Sequence, residues 1–278
     1  MVFCASKGFP GTHTLLPCGQ CSGCRLARSR AWAVRIMHET KLFKKSCFVT
    51  LTYSDENLPL TEQGLPTLDK THFTLFMKRL RKRFGSGIRY FQCGEYGEQL
   101  ARPHHHAILF GIEFDDITLY SRNMGVSIYH SMVLESLWNK GFVTVGSVTF
   151  DSAAYVARYI MKKQTGSDAD AHYQGREPEY ITMSRRPGIG RLFYDKYKDD
   201  LYNYDKCVVL NNFVLKPPKY YDSLYDLENP ERLKRLKQQR KESATNLCPH
   251  TDRERLDTLE KHQHLVMNRY VRDYKKID

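Results

Sequence analysis

The chain has 278 residues, 41% of them hydrophobic, which is enough for one sizeable core plus a helical appendage and excludes wholesale disorder. Its 43 Lys and Arg outnumber 31 Asp and Glu, and the net charge of +12 favours a polyanionic partner, whether DNA, RNA or anionic lipid. No run of about 18 apolar residues offers a membrane span, and the N-terminus lacks the basic-then-apolar order of a secretory signal. A cytosolic protein is therefore expected, with its 8 cysteines as thiols or metal ligands rather than disulfides.

Residues 1–24 are Gly- and Cys-rich and read as irregular. Cys18, Cys21 and Cys24 follow one another with two residues between each, and Cys4 is available as a fourth donor. Such spacing suits a structural Zn2+, while iron–sulfur ligation and plain thiols stay open. From about Cys24 to Lys44, Leu26, Trp32, Ile36, Met37 and Phe43 recur near helical spacing, with Arg25, Arg28, Arg30 and Arg35 on the other face. Cys47–Tyr53 is β-branched and aromatic, a strand. A Pro-containing loop over 55–69 leads into an amphipathic helix, Lys70–Phe84. It turns Phe73, Phe76, Met77 and Leu80 inward and Lys78, Arg79, Arg81, Lys82 and Arg83 largely outward.

Two strands follow, Ile88–Glu95 and His104–Gly111, joined as a hairpin. A helix is predicted near Ser131–Trp138, a strand near Phe142–Thr149 and a helix over about Ser152–Gln164. Pro217 and Pro218 mark a break, beyond which Glu231–Glu242 and Asp252–Lys275 read as charged helices. The expected class is α+β, a central antiparallel sheet covered on one side by helices. Its segments are 1–24 (Cys-rich), 25–215 (main domain) and 216–278 (C-terminal helical extension).

Two constellations carry chemistry. Residues two apart on a strand share a face, so His104 and His106 point together and His105 points away. If the loop 96–102 closes cleanly, the hairpin brings Glu95 opposite residue 103 or 104 as a third ligand, while Glu98 sits less favourably in mid-loop. Two histidines and a carboxylate suit Mg2+ or Mn2+; the competing reading is a solvent-exposed strand end. On the helix over 152–164, Tyr155 and Tyr159 stand one turn apart, with Lys162 on the same face. A phenolate there can attack a phosphodiester and conserve the bond as a phosphotyrosine, with a metal or a lysine steadying the phosphate. Spacing alone is weak: 18 tyrosines give roughly one such pair by chance, Tyr221/Tyr225 and Tyr270/Tyr274 are two more, and helical pairs are usually packing.

The segments FVTLTY, RPHHHAILFG and YVARYIMK, in that order, resemble the HUH endonuclease superfamily. With PCGQCSGCRLARSRAWAVRIMHE at 17–39, CGEYG, and SRRPGIG at 184–190, residues 17–200 look like the replication initiators of gokushovirus-type microviruses. The resemblance implies a rolling-circle initiator that nicks single-stranded DNA at an origin and rejoins it. His104 and His106 would be its metal ligands, Tyr155 and Tyr159 its paired nucleophiles and Lys162 its lysine. His105 stands at a position the family usually fills with a bulky apolar residue. An RRM-like antiparallel sheet is implied, as is work on a duplex replicative form in the cytoplasm of a bacterial host. The Walker A pattern is missing from the sequence, so a host helicase and polymerase are expected as partners. Candidate DNA contacts are Arg28 and Arg35, Arg79 and Lys82, and Arg185 and Arg186 beside a Pro-Gly turn, against the alternative of solvated faces. Two other functions compete: an HUH transposase or relaxase, and a non-nuclease metal-binding protein that binds nucleic acid.

Overall fold

Strict alternation in Ser46–Leu51, with Cys47, Val49 and Leu51 buried and the residues between them half-exposed, makes this segment a strand with one core face. In a computed structural model, which describes residues 22–97, 100–123, 125–158, 169–208, 214–247 and short helical pieces between 254 and 265, it is β1. The strands β2 (Arg89–Tyr96), β3 (Pro103–Phe110), β4 (Ile117–Asn123), β5 (Val126–Ser131), β6 (Val143–Gly146) and β7 (Tyr180–Met183) join it in one sheet. The order is β4-β5-β6-β1-β3-β2-β7 and every pairing is antiparallel. The helices are α1 (Ser22–Thr40), α2 (Lys70–Phe84), α3 (Met132–Trp138), α4 (Phe150–Arg158), α5 (Ala169–Tyr173), α6 (Arg191–Tyr204), α7 (Lys219–Glu228) and α8 (Pro230–Leu247). The class is α+β, as the sequence predicts.

Helices flank both faces of the sheet, rather than one as expected. On the first face, Val49, Leu51, Ala107, Leu109, Val143 and Val145 pack against Phe73, Phe76, Met77 and Leu80 of α2 and Leu134, Leu137 and Trp138 of α3. Asp69 caps α2 by accepting from Thr71 N. Ser131 caps α3 by accepting from Leu134 N, and the Arg79 guanidinium satisfies the other end by donating to Leu137 O and Trp138 O. On the second face the Trp32 ring of α1 lies 5.1 Å from Phe91. Near it the wholly buried Glu39 accepts from Arg89 Nε (2.5 Å) and Gly190 N (2.6 Å). The core is thus two-sided because apolar residues alternate off both faces of β2 and β3.

Gly141, at φ +151, makes the turn from α3 into β6, and a Cβ there would collide with backbone, Ser54 N first and then Thr52 O at 2.7 Å. Backbone cannot give way as a side-chain tip can. Gly141→Ala is expected to cost about 2–5 kcal/mol, read as a lower urea midpoint at unchanged slope. A midpoint within error of the wild type would refute the close approach.

The chain divides into two compact units. One spans Trp32–Tyr197 and carries the seven-stranded sheet; the other includes Lys198–Val208 and the residues from Asn212 onward. In the second, β8 (Cys207–Val208) pairs with β9 (Val214–Leu215). Arg240 of α8 donates to both Asp205 and Asp222, and the Tyr202 and Tyr225 rings stack at 3.8 Å. Tyr221 and Tyr225 are 0% and 2% exposed, so that helical pair is packing. No helix among the described residues is long and apolar enough to cross a membrane.

Candidate metal centre

The β2–β3 hairpin closes with Gly97 N donating to Arg102 O, which sets Glu95 directly opposite His104 and Cys93 opposite His106. Directly paired residues of antiparallel strands point to the same face, so Glu95, His104 and His106 converge. Glu95 Oε1 lies 2.8 Å from His104 Nε2 and 2.9 Å from His106 Nε2, and the three ligand atoms lie within 4.8 Å of one another. Glu95 is 1% exposed and His106 6%. Burial alone would raise the Glu95 carboxyl, but hydrogen bonds with the two imidazoles override it and hold it at about 2, so Glu95 is an anion.

Both imidazoles are anchored through their other nitrogen. His104 Nδ1 lies 3.1 Å from Arg102 O, and a carbonyl only accepts, so Nδ1 carries the proton. Neutral His104 therefore aims the Nε2 lone pair at a carboxylate oxygen, an arrangement that needs a cation between them. His106 Nδ1 meets Thr50 Oγ1 at 3.0 Å, and Phe48 stacks on its ring (5.6 Å, 14°). Hydrogen-bonded outer nitrogens and inward-facing lone pairs are what an oxygen- and nitrogen-preferring divalent ion requires, so the donor set fits Mg2+ or Mn2+. Cis ligands at metal bonds of about 2.1 Å sit roughly 3 Å apart, close to the two measured separations. Thr50 and Phe48 carry no recognisable motif; only the pairing of Thr50 with His106 makes them neighbours of the site.

His105 faces the other way and is wholly buried. Gln92 Nε2 donates to its Nδ1 (3.2 Å), its Nε2 lies 3.0 Å from Tyr53 Oη, and Tyr53 Oη lies 3.0 Å from His72 Nδ1. These bonds run in one direction only if His105 is neutral. Burial, aided by the neighbouring histidines, pushes its pKa from 6.5 down to about 3. The folded state thus refuses a proton that the unfolded chain takes up below pH 6.5. The stability this contributes is complete above pH 6.5 and lost as pH falls towards about 3, by up to about 5 kcal/mol. Urea titrations between pH 7.5 and 4 should show the fall, and His105→Leu, though less stable throughout, should flatten it by one proton. An unchanged slope would contradict neutral burial.

Tyr155 lies on α4 with its ring 5.1 Å from His106 at 78° and 6.4 Å from Phe48. The structure therefore brings Glu95, His104, His106 and Tyr155 together. Tyr159 and Lys162 lie outside the described residues, as do Cys4, Cys18, Cys21 and Glu98; Cys24 is half-buried near the start of α1. Of the candidate DNA contacts, Arg28, Lys82, Arg185 and Arg186 are exposed. Arg35 and Arg79 instead spend donors on main-chain carbonyls, Arg35 on Ile189 O and Arg79 on the end of α3.

The sequence model of the replication-associated protein ORF2 family matches residues 46–164, which contain all of this cluster. The chain is 35% identical over 226 residues to replication-associated protein VP4 of Bdellovibrio phage phiMH2K, covering 78% of this chain and 69% of that protein. It is 37% identical over 225 residues to replication-associated protein ORF2 of Spiroplasma virus 4, covering 77% and 68%. Replication-associated protein ORF4 of Chlamydia phage 1 is 32% identical over 219 residues, or 75% of this chain and 53% of that one. No solved structure matches the chain.

Proposed function

Because the chain belongs to the replication-associated protein ORF2 family, we propose that it initiates rolling-circle replication as an HUH endonuclease, nicking single-stranded DNA at the origin through a tyrosine. The observation that carries this reading is the carboxylate oxygen shared by His104 and His106, with the Tyr155 ring beside it. A protein that merely binds nucleic acid has no use for a buried anion facing two imidazoles next to a phenol.

Glu95, His104 and His106 would hold the Mg2+ or Mn2+. The bound ion would supply Lewis-acid polarisation of the scissile phosphate. Thr50 and the Arg102 carbonyl orient the imidazoles. The Tyr155 or Tyr159 phenol gives up its proton and its oxygen attacks phosphorus in line. The bond from phosphorus to the 3′-oxygen breaks, that oxygen leaves as a hydroxyl with a proton, and a 5′-phosphotyrosine forms. The same 3′-hydroxyl, or one from a second strand, reverses the step and rejoins DNA. A second tyrosine allows another transfer before the first strand is released, and Lys162 would steady the phosphate.

Exposed Arg28, Lys82, Arg185 and Arg186 would neutralise DNA phosphates, which makes binding steeply salt-dependent. Residues 25–215 would form the nuclease domain and 216–278 an extension. Cys4, Cys18, Cys21 and Cys24 would bind a structural Zn2+, which metal analysis of protein purified without a histidine tag would read as about one zinc per chain. The protein would work on the duplex replicative form in the bacterial cytoplasm, with host helicase and polymerase extending the nick.

The test uses single-stranded oligonucleotides tiled across the genome that encodes the chain, labelled on either side of each site, with Mn2+. Cleavage should occur at one site, leaving the 3′-side label covalently on the protein in a denaturing gel. Cleavage that survives EDTA would sink the metal's role, and cleavage with no protein-bound label would sink the tyrosine's.

A further inference from the structure

We infer that the open half of the metal-bearing sheet face is a stacking platform for the bases of single-stranded DNA, built from Tyr120, His130 and Phe142. This rests on the nickase reading, whose substrate it seats.

The register sets these rings on the same face as the metal ligands. His106 pairs with Thr50, and Thr50 with Thr144 of β6, so all three share that face. Phe142, two residues before Thr144, continues the ladder by accepting from Thr52 N at 3.0 Å. Tyr129 pairs with Val145 on the opposite, core-facing side, which turns His130 back to the metal-bearing face, where Thr118 of β4 pairs with it. A bulge between Leu119 and Ser121 re-aims Tyr120 out of the ladder. The Tyr120 ring then lies 4.9 Å from Phe142, and His130 lies flat on Phe142 at 5.2 Å and 9°. Glu135 Oε2, 2.8 Å from His130 Nε2, fixes the imidazole's edge.

Burial separates the platform from the core. Tyr120 is 61% exposed and Phe142 38%, whereas the opposite face of β6 is closed under α3. Two exposed rings and a pinned imidazole gain nothing from folding, so their aromatic surface is available to a ligand. Three observations select bases over a protein partner. The rings stand among exposed or half-exposed threonines, Thr118 and Thr144, not in a continuous apolar patch such as a protein interface needs. The exposed aliphatics of this edge, Ile117 and Leu119, pair with Ser131 and Tyr129 and so point to the other face. The platform is also continuous with a centre that would bind a phosphodiester: β6 and β5 lie two and three strands from β3, roughly 10 and 15 Å away. A strand held at the metal must cross this face within a few nucleotides. Stacking there needs no sequence preference, because every base has a π-face.

The experiment uses the full chain in EDTA, so that neither metal nor cleavage enters. Fluorescence anisotropy compares a labelled oligo(dT) with an abasic phosphodiester oligomer of equal length. Tyr120→Leu and Phe142→Leu keep apolar bulk and remove the ring. Each should weaken oligo(dT) binding by about 5- to 150-fold and leave abasic binding nearly unchanged. Tyr120→Trp should restore or tighten binding, and Mn2+ affinity and thermal midpoint should stay at wild-type values. If Phe142→Leu alone lowers the midpoint, exposed Tyr120 carries the test. Unchanged oligo(dT) affinity, or equal loss on both probes, overturns the platform. So does a change in self-association by sedimentation with DNA binding intact, which would make this edge a contact between copies. Failure of the wild type to cleave in Mn2+ would instead strike the nickase reading and leave the anisotropy result standing.

Discussion

Replacing His106 by alanine is expected to abolish measurable Mn2+ binding and to slow origin cleavage by roughly a thousandfold or more, a loss of about 4 kcal/mol in transition-state stabilisation. The size follows from the geometry. His106 is 6% exposed, held by Thr50 on one nitrogen and facing Glu95 at 2.9 Å with the other. Its removal leaves Glu95, an anion 1% exposed, with only His104, and a two-point site holds a hard divalent ion poorly. Glu95→Gln should behave similarly, because the amide keeps the shape and loses the charge. Thr50→Val is milder: it removes only the anchor of His106 Nδ1, for which a 10- to 100-fold loss of metal affinity is the usual size. Isothermal titration with Mn2+ separates the three, and far-UV circular dichroism guards against unfolding. Wild-type Mn2+ affinity in both His106→Ala and Glu95→Gln would remove the metal centre from the account.

The double substitution Tyr155→Phe/Tyr159→Phe should eliminate the covalent protein–DNA product altogether, since no phenol oxygen is left on that helix to attack phosphorus. Metal binding should survive, because neither hydroxyl belongs to the donor set. The benzyl ring kept at position 155 would still rest against His106, so stability should change by under about 1 kcal/mol. Single variants divide the roles: the one that keeps a first cleavage but fails to transfer to a second strand identifies the tyrosine that acts second. A covalent band persisting in the double variant would move the nucleophile elsewhere; among other helical tyrosines, Tyr221 and Tyr225 are too buried to serve.

Periodic segments are legible in the sequence. The helix Lys70–Phe84 has the bounds its apolar spacing predicts, and α1, β1, β2, β3 and α3 lie within a few residues of expectation. The hairpin β4–β5 is not. Its bulge at Leu119/Ser121 breaks the period of two, and its strands lie at the sheet edge where polar residues occupy both faces. Strand β7, only four residues long and half-exposed throughout, offers no pattern, and it forms because β2 has an unpaired side. Arg35 and Arg79 show the same limit at single residues. A basic helix face in the sequence cannot reveal that a main-chain carbonyl waits opposite it.

At the metal centre the division is just as definite. Strand parity by itself set His104 and His106 on one face, turned His105 to the other, and put Glu95 across the hairpin, because these relations are local and the backbone repeat enforces them. Only the tertiary structure brought one carboxylate oxygen within hydrogen-bond distance of both imidazoles, placed Thr50 and Phe48 on His106, and laid Tyr155 beside it. Those contacts join β1, β2, β3 and α4, segments separated by up to about a hundred residues. Their meeting depends on strand order and on which helix covers which face, which the packing of the whole core decides and no local period encodes.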